Sequence, residues 1–167
     1  MYTVVGLAPS EFQTASDGAA FRLGTIGAYE DPVLGTRVFV YGRANAAITG
    51  RGFVVVEDGP NTWRMIDSTV ANGGTAGHGS RVGVAQTALA ANQFGWFQIA
   101  GRGPVRTAAS SAKSSRINTT STAGQVHTTG SAGDEVINGM TLLAASGGSA
   151  GVNEDGMLSF PTVGATL

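Results

Sequence analysis

The sequence predicts a mainly β fold, a β-barrel or a jelly-roll-like sandwich with long glycine-rich loops and an extended N-terminal arm. Three observations carry that prediction. Short runs of β-branched and aromatic residues recur along the chain, each bounded by Gly, Pro, Asn or Asp, which is how strands and their turns read. No stretch joins a helical apolar period to a cap at both ends, so nothing longer than one turn, at 87–92 or 110–115, is expected to be helical. The 167 residues include 26 glycines and no cysteine, which supplies flexible connections and removes disulfides, thiolate metal sites and cysteine nucleophiles together.

In chain order, residues 1–20 show no sustained period and contain "APSEF" and "SDGAA", so they read as an arm, with Phe12 its aromatic contact candidate. Residues 21–167 form the β-rich domain. "FRLGT", "GTRVFVYG", "GRGFVVVEDG" and "TWRMID" are strand-sized, and "EDGPNT" at 57–62 is the strongest hairpin connection. Phe53, Val54, Val55 and Val56 lack alternation, as a strand covered on both faces does. "VANGGTAGHGS", 70–80, is expected to be a mobile surface loop without an apolar anchor. Strand-sized runs then resume with "RVGVAQTA", "FGWFQIAG", "GPVRTAA", "SSRINTTS", "GQVHTT" and "AGDEVINGMTLLAAS". A second flexible loop, "GGSAGVNEDG", precedes a closing strand "MLSF". Residues 37–56 laid on 81–100 match at Arg37/Arg81, Val38/Val82, Val40/Val84, three alanines and Phe53/Phe97. Shared composition and a repeated strand–loop–strand unit explain that equally well.

In "FGWFQIAG" the two-residue period puts Phe97 and Ile99 on a core face. Trp96 falls on the other, half covered, as interface anchor or simple core. Gly95 and Gly101 admit a neighbouring backbone or a sharp bend.

Net charge is −1, distributed as −2 over residues 1–79, +5 over 80–132 and −4 over 133–167. The basic middle and acidic end can pair within one fold or between subunits. Arg102, Arg106, Lys113 and Arg116 lie close together with no acid and no aromatic ring between them. Nucleic-acid binding needs more charge and stacking rings, so contact with an acidic protein surface fits better, beside the plain reading of a solvated face. No apolar run reaches membrane-spanning length and no signal peptide opens the chain, so a soluble protein is expected.

Catalytic patterns are absent or incomplete. His78 and His127 share no ligand spacing with each other or with a carboxylate and read as exposed polar residues. "GGSAG" around Ser149 matches the nucleophile elbow formally, but no helix and no histidine follow it. "VNEDG" lacks the first and last acids of a calcium loop, and "GRGPVR" and "GHGSRV" lack the third glycine of a nucleotide fingerprint. The acid pairs Glu30–Asp31, Glu57–Asp58 and Asp134–Glu135 read as solvated turns. Neither enzymatic activity nor a cofactor or metal is expected.

"RVGVAQTALAANQFGWFQIAGRGPV" (81–105), "RINTTSTAGQV" (116–126) and "INGMTLLAAS" (137–146), with "FRLGT" and "GTRVFVYGRANAAI" before them, resemble the head decoration or cement proteins encoded with tailed-bacteriophage capsid genes. The resemblance spans roughly residues 21–160 and carries no catalytic motif. It implies a β-rich structural protein on the outer surface of the virion capsid. Such a protein binds the major capsid protein where subunits meet, as a homo-oligomer, trimer favoured and dimer the alternative. Contacts are then expected from the arm with Phe12, from Trp96, and from Arg102, Arg106, Lys113 and Arg116. A receptor-binding or fibre module of a phage tail is the competing expectation, with no nucleic-acid or membrane partner in either case.

Overall fold

A computed structural model describes residues 7–70, 77–149 and 151–167. Residues 1–6 of the expected arm, 71–76 of the first loop and Ala150 of the second lie outside the described residues. The chain folds into β1 (Phe12–Gln13), β2 (Ile26–Asp31), β3 (Gly35–Ala44), β4 (Val54–Glu57), β5 (Thr62–Met65), β6 (Val82–Ala85), β7 (Phe94–Thr107), β8 (Ile117–Thr119), β9 (Val126–His127), β10 (Glu135–Leu142) and β11 (Val152–Thr166). Among the described residues no helix is long and apolar enough to cross a membrane.

The hydrogen-bonded strand path closes on itself twice, so the mainly β fold is barrel-like. β3 pairs parallel with β5, then β5 with β4, β4 with β6, β6 with β7, and β7 antiparallel with β3 again. The second ring starts from the same strand: β7 pairs parallel with β9, then β9 with β8, β8 with β10, β10 with β11, and β11 antiparallel with β7. Both rings have one strand order. Each parallel closure rests on equivalent contacts, since Asn45 N donates to Trp63 O at 2.7 Å and Ala108 N donates to Val126 O at 2.9 Å. β7 serves both rings because it runs 14 residues and bends at Gly101, whose φ of 89° favours glycine and where a Cβ would strike the Thr36 carbonyl.

Side-chain alternation then divides the core. Val40, Val55, Trp63, Ala85, Phe97 and Ile99 fill the first ring, with Trp63 stacked on Phe97 at 4.9 Å. Val105, Ile117, Val126, Ile137, Leu142 and Leu158 fill the second, joined by Val54, Val56, Val82 and Val84 from the outer faces of β4 and β6. That explains the missing alternation at 53–56: Val55 points into one cluster and its neighbours into the other. The two similar stretches, 37–56 and 81–100, form strand–loop–strand units that pair crosswise, β3 with β7 and β4 with β6, with Ile48 bridging Leu89. A third cluster, Phe39, Tyr41 and Trp96, lies on the outer face of β3 and β7 under Leu7, Phe21 and Leu23.

Several expectations change. "VNEDG" is strand, the start of β11, because residues 152–159 find an antiparallel partner in residues 100–107, a long-range ladder that overrides turn-like composition. β11 also continues through Pro161 to Thr166. "FRLGT" leads into β2 and is itself no strand. Val70, at the start of the glycine loop, is buried in the second core, and residues 79–80 bond to Val163, so both ends of that loop are anchored. Described residues of the N-terminal segment lie on their own chain, with Phe12 opposite Gly95 and Phe21 packed on Tyr41 and Trp96.

Candidate functional site

Trp96 is 3% exposed, not half covered: its ring tilts against Tyr41 at 5.0 Å and Phe21 at 5.2 Å. Gln98 shares that outer face and is buried too, accepting from Arg37 at 2.6 Å while its amide donates to three carbonyls at 100–102. Arg37 also reaches Gln86 and Asp31 and stacks on Phe39. Burial lowers the Arg37 pKa, and the facing Asp31 opposes that effect. This network ties β2, β3 and β7 together. Trp96 is thus an internal anchor for the segment laid over it, while Phe12 beside it stays half exposed.

Arg102 and Arg106 sit on the outer face of β7 in the second ring, since Val105 and Thr107 point inward and are buried. Arg102 pairs with Asp155 on β11, so part of the basic middle meets the acidic end within one fold. Arg106 stacks over Phe53, with 4.9 Å from guanidinium carbon to ring centre. Lys113 and Arg116 are exposed in the 108–116 connection and carry no ion pair among the described residues. Sequence proximity thus overstated the cluster: two of its four cations are engaged and two are free.

Around Arg102 lie apolar side chains that the sequence reading assigned no role. Met157 is its register partner and is 42% exposed; Leu143, whose N–H donates to the Asp155 carbonyl, is exposed to the same extent. Ser114 N donates to the Leu142 carbonyl, which brings the Lys113–Arg116 connection to the same rim. Three residues along β11 stands Phe160, 61% exposed with φ of 49°, beside an apolar cleft lined by Val82, Ile99 and Pro161. A bulky residue at positive φ is a conformational outlier. Its cause is local: β10 and β11 change register between Asn138 and Met140, and Gly139, φ 74°, packs on the Ser159 carbonyl. In "MLSF" the two-residue period does set Met157 opposite to buried Leu158, a signal that could have marked Met157; nothing local marks the bulge at Phe160.

The remaining polar candidates are structural. Thr129 N donates to His127 Nδ1 at 2.9 Å and His127 Nε2 faces the Ala109 carbonyl at 2.9 Å, so both ring nitrogens are occupied. Glu135 is fully buried, not solvated, and receives the Thr166 hydroxyl and His78 Nε2. Glu57 is likewise no open turn acid: Arg81 grips both its oxygens at 2.6 and 2.7 Å. Burial works to raise the Glu57 carboxyl pKa, and the Arg81 fork with the Asn61 N–H outweighs it, leaving it lowered. Among the described residues no group of three or more His, Asp or Glu could hold a metal ion. Along and beside the β10–β11 ladder the arrangement offers exposed Leu143, Met157 and Phe160, an Arg102–Asp155 pair open to water, and the exposed cations Lys113 and Arg116. No family model and no curated protein matches the chain.

Proposed function

We propose that this chain is a structural virion protein of the decoration type, which binds the outer surface of an assembled phage capsid and clamps neighbouring copies of the major capsid protein. The observation that carries the reading is Phe160: a bulky ring held at φ 49° and 61% exposed gains little from its own fold. Large exposed apolar groups rimmed by charge are what a protein-binding face presents. Leu143 and Met157 widen that face, and Lys113 and Arg116 select an acidic partner surface.

A protein that contacts two capsid subunits binds the assembled shell and not the separated subunits. Its binding free energy therefore adds to shell stability by mass action. The test is co-sedimentation of purified protein with undecorated capsids, followed by capsid melting. Bound protein and a raised shell melting temperature are expected, with binding reduced at least about tenfold by Met157→Asp or Phe160→Asp. Shells that neither bind the protein nor change their melting would end this reading.

A further inference from the structure

The two rings use up nearly every strand edge in the described residues. β11 beyond Phe160 lacks a strand on one side, yet Arg81 bridges Thr162, Val163 N donates to Ser80 O at 3.0 Å and Gly79 N donates to Val163 O at 2.7 Å. β1 offers only two residues. β2 is different. It pairs with β3 alone over six residues, Ile26–Asp31.

The alternation of the ladder identifies which β2 groups point outward. Tyr41 exchanges bonds with residues 24 and 25, while Ala44 N donates to Gln93 beside β7, so odd residues of β3 face β2. The register then gives Gly27, Tyr29 and Asp31 the inward bonds to Phe39, Arg37 and Gly35. The N–H and C=O of Ile26, Ala28 and Glu30 face away and bond to nothing among the described residues. No proline or bulge falls within Ile26–Asp31, its middle is Ala28 and Tyr29, and the apolar Ile26 (54%) and Val33 (82%) at its two ends are exposed. Natural edges are normally blunted; within β2 the blunting is confined to the acids Glu30 and Asp31 at one end.

We infer that β2 is a self-association edge, on which a second copy of this chain lays its own β2 antiparallel about a two-fold axis through Ala28. Charge sets the register. Centred on Ala28, the ladder puts Ile26 opposite Glu30 of the partner subunit and no acid opposite an acid. Centring on Glu30 would oppose two carboxylates, and centring on Ile26 would run the ladder past the start of β2 to Gly24, where Gly24 and Thr25 together bond to Tyr41. With one long open edge available, the contact is isologous and closes as a dimer, the second of the two oligomers expected from the resemblance. This pairing needs no shell.

Sedimentation velocity across a wide concentration range reads the association directly. The native chain is expected to dimerise reversibly. Ala28→Pro removes an N–H that the fold itself leaves unused, so melting should hold while self-association weakens at least about tenfold. Ala28→Lys sets two cations at the axis and should do the same without touching the backbone. Because the chain has no cysteine, Ala28→Cys should oxidise to a linked dimer. A native chain that stays monomeric, or folded Ala28 variants that dimerise like the native chain, would overturn the inference. So would loss of capsid binding in Ala28→Pro without any native dimer, which would give the edge to a capsid strand.

Discussion

Phe160 and Glu57 show how single residues divide between the proposed capsid contact and the stability of the fold. At φ 49° a side chain with a Cβ carries a backbone cost of about 1–2 kcal/mol that glycine avoids. Phe160→Gly is therefore expected to stabilise the fold by about 1 kcal/mol in chemical denaturation while weakening capsid binding. Loss of stability without loss of binding would make the ring a packing element. Glu57 has a lowered pKa, so its contribution is present at neutral pH and fades as pH falls through and below the ordinary carboxylate range. Glu57→Gln is expected to cost about 1 kcal/mol near pH 7, a figure reduced for the partly open Arg81 side, and to converge on the native chain only as pH falls below the ordinary carboxylate range. The sequence located Phe97 and Ile99 in the core from alternation alone. It could not reveal that Trp96 is covered, because its cover, Phe21, comes from a segment about 75 residues away with no period of its own.

Among elements, the 57–62 hairpin was legible because turn chemistry is local, whereas the first half of β11 was not, since its Asn, Glu, Asp and Gly become strand only through the β7 ladder. The bulge opposite Phe160 depends on Gly139, where a Cβ would come to 2.6 Å from the Ser159 carbonyl and where φ is 74°. Gly139→Ala is accordingly expected to destabilise by about 2 kcal/mol and to speed amide exchange along β10 and β11 first. Uniform exchange across the molecule would place the cost elsewhere. β2 went unrecognised for a related reason: "IGAYED" joins small residues to acids, a composition that marks neither strand nor core.

At the scale of the molecule, two five-strand rings share β7, and valines from the first ring fill the core of the second. The second ring has no complete core without the first. One cooperative unfolding transition is expected, and Val84→Ala, about 2 kcal/mol destabilising, should lower protection in β10 of the second ring as well as in β4. Two separate transitions would contradict that coupling. The equivalent strand orders escape sequence comparison because the shared pairing positions hold different residues: Val40 opposite Phe97 in one ring, Gly103 opposite Gly156 in the other. Topology is repeated where packing is not.

Adhesion is what this architecture is proposed to do: a rigid double ring presents Leu143, Met157 and Phe160 to a capsid whose joined state it favours. The most direct measurement is the melting temperature of undecorated capsids titrated with the native chain and with Met157→Asp. A saturable rise with the native chain, displaced to higher concentration by the substitution, is the expected result. Identical melting curves with and without protein would contradict it.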